Sequence, residues 1–276
     1  MTAAEGARGT DFLARIASDR RRRVAAMQAM VPAHELRARI GGIEPAGRLE
    51  RALRRGGPAG PLRMLCEVKR ASPSKGVLRE VVDPVAVATM YAAGGASGIS
   101  LVTEPDHFLG DPEWVDRVRP HVKLPLLMKD FVVDPYQIVD AAARGADAVL
   151  LLAALLSETE LQRFITEARL LGLDALVEVH DEVELAYAVR AGGTLVGINN
   201  RSLHTFEVDL GTSLRLLPLL PPYVTAVAES GLSRAEDLAR LRETRCDAVL
   251  MGEVFMTSAD PAATLDQLAA AARGAA

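Results

Sequence analysis

The chain has 276 residues, 49% of them hydrophobic, 25% charged and only 4% aromatic, with a formal net charge of −4. This balance excludes disorder over most of the length and offers no basic field to gather nucleic acid or an anionic membrane surface. Cys66 and Cys246 lie in no CxxC or histidine-rich context, which argues against a disulfide framework or a structural zinc and suits a reducing cytoplasm.

The pattern begins with a helix over 11–30. Its apolar positions Phe12, Leu13, Ile16, Val24, Met27 and Val31 mostly recur at three- and four-residue steps, with Thr10 as candidate N-cap and Pro32 as the stop. The run Arg20 to Arg23 reads as a solvated helix face, and no apolar h-region follows it to make a signal peptide. Short helical pieces follow at 34–40 and 49–55, and then Gly56-Gly57-Pro58-Ala59-Gly60-Pro61 breaks the chain. The division expected is an N-terminal helical extension over 1–61 and a second unit over 62–276, packed as one structural domain.

Beyond the break, strand-like runs fall at 64–69, 98–103, 126–130, 148–152, 175–179, 195–199, 224–229 and 248–251, each followed by a helical stretch. Asp83-Pro84, Asp111-Pro112, Asp134-Pro135 and Asp260-Pro261 are N-cap and first-turn pairs, and Ser157…Glu160 and Ser233…Glu236 read as capping boxes. Eight such units make a (β/α)8 barrel, and Asp147-Ala148-Val149-Leu150 is echoed four strands later by Asp247-Ala248-Val249-Leu250. The rival, a doubly wound open sheet, lacks a glycine-rich dinucleotide turn after its first strand. The longest apolar run, 148–156, is far too short to cross a bilayer.

Barrel enzymes place their chemistry at the C-terminal ends of the strands. Side chains alternate along a strand, so Glu67 and Lys69 share one face; if it is the inner one, Cys66 and Val68 point to the helices. Lys129, Glu178, Asn199 and Glu229 then also point inward, giving two lysines and three glutamates in one mouth. An ion-pair ring closing the barrel is the plain alternative; coupled Lys–Glu pairs are equally a means of tuning proton transfer. Asp130 and His180 adjoin site positions with opposite parity and fall outside the expected catalytic set. Ser230-Gly231 and Gly252 end the last two strands, where backbone N–H groups hold phosphate in many barrels, with Lys69 and Ser72 nearby. Arg201 offers a planar fork for a carboxylate. His34, His107, His121, His180 and His204 show no HxH or HExxH spacing, so no metal site is expected, and Trp114 reads as packing.

In this order, Glu67-Val68-Lys69-Arg70-Ala71-Ser72-Pro73-Ser74, Leu127-Met128-Lys129-Asp130-Phe131, Leu176-Val177-Glu178-Val179-His180, Gly197-Ile198-Asn199-Asn200-Arg201 and Ala228-Glu229-Ser230-Gly231 resemble the signatures of the indole-3-glycerol-phosphate synthases. The resemblance spans about the whole chain, the extension included. It implies a carboxy-lyase of tryptophan biosynthesis acting on a small phosphorylated substrate without cofactor or metal, cytoplasmic, and a monomer or weak homodimer. It also implies catalytic roles for Lys129, Glu178, Lys69, Glu67, Asn199 and Glu229, and substrate contacts from Ser72, Arg201, Ser230, Phe131, Gly231 and Gly252. A related isomerase would need a strand-one cysteine base, which the outward parity of Cys66 denies; a Schiff-base aldolase or a non-catalytic anion-binding barrel are the other rivals. The extension is expected across the C-terminal mouth as a lid, the alternatives being a plug on the opposite face or a dimer contact. Removing residues 1–55 would then leave a folded barrel with raised KM and lowered kcat.

Overall fold

The computed structural model describes residues 3–57, 59–203 and 205–274, apart from the side chains of 3–11. Among these residues, eight parallel strands close a barrel: β1 (Arg63–Val68), β2 (Gly98–Val102), β3 (Leu126–Lys129), β4 (Ala148–Leu152), β5 (Asp174–Val179), β6 (Leu195–Asn199), β7 (Thr225–Glu229) and β8 (Ala248–Met251). Each pairs with its sequence neighbours, and β1 closes the ring by pairing Leu65 with Gly98 of β2 and Cys66 with Met251 of β8.

Parity sorts the core into two clusters. Leu65, Leu127, Leu150, Leu176, Leu195, Val227 and Leu250 fill the barrel interior, while Met64, Cys66, Val68, Val149 and Val177 face the helices. Cys66 therefore points outward, and burial pushes its thiol far above the usual range. Trp114 is buried in the outer cluster as packing.

Three helices precede the barrel: α1 (Ala3–Met30), α2 (Ala33–Arg39) and α3 (Arg48–Leu53). They do two jobs. Leu13 of α1 joins the interior cluster, against which Phe131, Leu155 and Leu203 pack, and Phe12 meets Phe206 in the cavity, so α1 crosses the C-terminal mouth. Leu49 and Leu53 of α3 belong to the same cluster but enter from the floor, where Leu49 lies against Gly98 at the start of β2. The Leu49 and Glu50 amides donate to Asp174 Oδ2, at the start of β5, at 2.7 and 3.0 Å. The extension is thus both lid and plug, and a cut at residue 55 removes the floor together with the lid.

The repeated Asp-Ala-Val-Leu has a mechanical reason at that same floor. Asp147 accepts the Leu126 amide at 2.8 Å and Asp247 the Ala226 amide at 2.9 Å, each tying its strand to the start of the preceding one. The helices after the strands are α4 (Pro84–Ala93), α5 (Glu113–Val118), α6 (Pro135–Ala143), α7 (Glu158–Leu170), α8 (Glu182–Arg190), α9 (Gly211–Leu216), α10 (Ala235–Arg242), α11 (Glu253–Met256) and α12 (Pro261–Arg273).

Asp83, Asp134, Ser157 and Asp260 cap their helices as expected, with Asp181 added for α8. Asp111 acts one residue earlier than expected, because α5 starts at Glu113. Ser233 and Glu236 form no box: Asp237 instead accepts the amides of Ser233 and Arg234. The arginine run is not a uniform solvated face either. Arg20 is buried against Asp130 at 2.8 Å, while Arg22 and Arg23 pair with Asp19 and Asp106. α1 already begins at Ala3, so the Thr10 cap does not stand at its start, and Pro58, His204 and the Thr10 side chain lie outside what is described.

Candidate active site

The loops after the strands and Phe12 of α1 enclose a cavity of about 650 Å³ at the C-terminal mouth. Its lining includes Glu67, Lys69, Ser72, Lys129, Phe131, Glu178, Asn199, Arg201, Glu229, Ser230, Gly231 and Gly252, so all twelve residues expected at the site converge on one space.

At the cavity base, Glu67 Oε1 meets Lys69 Nζ at 2.8 Å and Glu67 Oε2 meets Lys129 Nζ at 3.4 Å. Burial alone would raise the Glu67 carboxyl, but the two ammonium groups hold it at about 2. Burial likewise opposes the Lys129 charge, yet Glu67, Glu178 and Glu229 together push its pKa upward, so it is a firmly held cation. Glu229 lies 4.0 Å from that ammonium. Here burial and the Glu178 charge prevail, lifting its carboxyl to about 8, and its Oε1 has no hydrogen-bond partner among the described residues. Burial and the nearby Glu178 charge thus favour the protonated form of Glu229, against the pull of the Lys129 ammonium. Its room comes from Gly197 on β6, where a Cβ would stand 1.9 Å from Glu229 Oε1.

Glu178 behaves oppositely. Asn199 Nδ2 donates to its Oε1 at 2.9 Å, and His180 Nε2 lies 3.3 Å from the same oxygen. Against burial, His180 and Lys129 hold the Glu178 carboxyl down at about 2. The proton affinities of two carboxyls in one cavity are thus driven in opposite directions, which is how acid and base roles are divided between like groups.

The walls supply recognition groups. Ser72 Oγ is buried with no hydrogen-bond partner among the described residues. Arg201 reaches Ser74 Oγ at 3.1 Å and Glu253 at 3.4 Å, which ties the loop after β6 to the loops after β1 and β8. Asn200 is a buried strut, taking the Ser213 hydroxyl at 2.8 Å and donating to Ser230 O at 3.2 Å. Ser230 adopts a left-handed backbone (φ 65°) beside Gly231 (φ 72°), a costly conformation of the kind that gathers at binding sites. Gly252 lies so near β1 that a Cβ would sit 2.7 Å from Glu67 Cβ.

Several functional groups were missed in the sequence. Of six phenylalanines, Phe12, Phe108, Phe131 and Phe206 line the cavity, yet only Phe131 was singled out. Phe108 sits 5.9 Å from Phe131, and Phe12 stacks edge-on over Phe206 at 5.4 Å. In a chain with so few aromatics, rings in the loops after strands were the available signal. Glu104 shapes one such loop by accepting the amides of Asp106, His107 and Phe108. His180, contrary to the parity expected for it, is two residues from Glu178 and shares its face, whereas Asp130 does turn away, toward Arg20.

A model of the family described as indole-3-glycerol phosphate synthase matches residues 13–268. The chain belongs to the indole-3-glycerol phosphate synthase family. Among its relatives, the enzyme of that name from Carboxydothermus hydrogenoformans is 43% identical over 264 residues, covering 94% of this chain and 100% of the relative. The one from Sulfurimonas denitrificans is 46% identical over 211 residues, covering 76% and 80%. A solved 3-hexulose-6-phosphate synthase from Salmonella typhimurium superposes with a TM-score of 0.62 at 15% identity, covering 78% of this chain and all of the other, and shares the fold alone. Synthases of this family are carboxy-lyases of tryptophan biosynthesis. No described helix is long and apolar enough to cross a membrane.

Proposed function

We propose that this cavity closes the indole ring of 1-(2-carboxyphenylamino)-1-deoxyribulose 5-phosphate and releases carbon dioxide and water to give indole-3-glycerol phosphate. The observation that carries this reading is the buried Lys129 ammonium, held between Glu67 and Glu229 at the cavity base. Attack of the aromatic carbon on the C2′ carbonyl places negative charge on the carbonyl oxygen. Lys129 stabilises that charge and supplies the proton. The carboxylate then leaves as carbon dioxide, its bonding electrons returning to the ring. In dehydration, Glu178 takes a proton while hydroxide departs with a proton from Lys69, whose ammonium stands across Glu67 from Lys129. Glu229, whose carboxyl burial shifts toward the protonated form, stands 4.0 Å from Lys129 beside this relay.

Binding follows the same map. Ser72 and Arg201 take the anthranilate carboxylate, and Phe131 with Phe108 receives the aromatic ring. The amides of Gly231 and Gly252, with Ser230, take the phosphate at the ends of the last two strands. The buried free thiols suit the reducing cytoplasm as the place of work, with the chain acting as a monomer or weak homodimer. Replacing Lys129 by alanine tests the assignment: turnover, read by indole fluorescence, should fall at least about 10²–10⁴-fold in a protein that still folds. A folded variant with near wild-type kcat would refute it.

A further inference from the structure

His180 stands between two carboxylates. Its Nδ1 lies 2.9 Å from Glu184 Oε2 and its Nε2 3.3 Å from Glu178 Oε1. Glu184 is itself fixed: its Oε2 also accepts the His180 amide at 2.8 Å, and its own amide donates to the helix cap Asp181 at 2.8 Å. Nδ1 hydrogen-bonds Glu184, and Nε2 meets Glu178 as an ion-pair contact at 3.3 Å without a hydrogen bond, so the two flanking carboxylates favour the charged imidazolium. Asn199 Nδ2 shares Glu178 Oε1 with it, and Oε2 accepts no hydrogen bond among the described residues.

We propose that His180, braced by Glu184, is a positioning residue that pins Glu178 by one oxygen and turns the other, Oε2, to the substrate as the proton acceptor. This deepens the proposed function and rests on its reading of Glu178 as the base of the dehydration step. The groups facing the pair are Lys129 and Asn199 from β3 and β6, and Glu184 from α8; Glu229 faces it from β7. Among the described residues, His180 makes the ion-pair contact with Glu178, whereas the two lysines pair with Glu67, so it holds this carboxylate separately from the Lys129 network. The raised ring pKa of His180, about 10, agrees with this arrangement: burial opposes the charge but Glu178 and Glu184 prevail.

The test uses the full-length enzyme. Nitrogen-15 NMR of the His180 ring should show both nitrogens protonated through pH 8, and Glu184→Gln should move the ring titration down by about one to three pH units. In His180→Asn and Glu184→Gln, kcat should drop about tenfold or more with KM changed less than about threefold. The acid limb of kcat should move about one pH unit or more to the alkaline side in His180→Asn as Glu178 loses its cation. Should His180→Asn not fold, Glu184→Gln with the ring titration carries the decision. A His180 ring titrating near its ordinary value, or kcat lowered equally at every pH with an unmoved limb, overturns the proposal. A charged ring with full turnover in Glu178→Gln would instead refute the reading of Glu178 as base.

Discussion

At the residue scale, alternation along β-strands made most of the site legible. Glu67 and Lys69, two apart, were expected on the inner face of β1, and they bond each other there at 2.8 Å. The same rule, misapplied, dropped His180, although it shares the Glu178 face. Charge states were not legible at all: nothing in the sequence distinguishes Glu178, held at about 2, from Glu229, lifted to about 8. That difference arises from His180 and Lys129 lying close to one and from like charge near the other. If Glu178 is the base, Glu178→Gln should lower kcat at least about 10²-fold with a much smaller change in KM. A rise in KM with kcat preserved would reduce Glu178 to a binding group.

At the scale of elements, strand positions were recovered to within a residue or two, because buried parallel strands write short apolar runs bounded by caps. The path of the extension was not recoverable. One amphipathic stripe says that α1 must be buried, not where, and the two leucines that plug the floor sit on a separate helix of six residues. The Arg20–Asp130 pair decides the seating of α1, since it joins the lid to the end of β3, next to Lys129. Burial lifts the Asp130 carboxyl to about 7 despite Arg20. In Arg20→Met the Asp130 carboxyl loses the guanidinium that lowers its pKa and is left at pH 8 either charged and unpaired or forced to bind a proton, so stability there should fall by up to about 3–5 kcal/mol. At pH 5, below the raised pKa, Asp130 takes up a proton and the loss should shrink. Equal losses at both pH values in denaturant titrations would show that the pair contributes no charge interaction.

For the whole molecule, the titrating groups of the mouth set a pH dependence of folding. Glu67 and Glu178, held at about 2 against an ordinary 4.5, give stability that is present above pH 4.5 and lost as pH falls toward 2. Asp130 and Glu229, raised to about 7 and about 8, bind more protons folded than unfolded, so stability declines as pH rises through their range. His180, raised from 6.5 to about 10, adds stability below 6.5 that is lost between there and 10. Thermal unfolding should therefore peak in Tm near about pH 5 and decline steadily toward pH 10. A Tm rising from pH 5 to 9 would contradict these assignments.

The reaction itself is the most direct test of the account. Purified protein is mixed with 1-(2-carboxyphenylamino)-1-deoxyribulose 5-phosphate, while indole fluorescence and released carbon dioxide are followed together. The account predicts both at equal rates, one carbon dioxide per indole-3-glycerol phosphate, and far weaker binding of the substrate lacking its phosphate. Absence of product from a folded protein, or equal affinity for the phosphate-free compound, would contradict it.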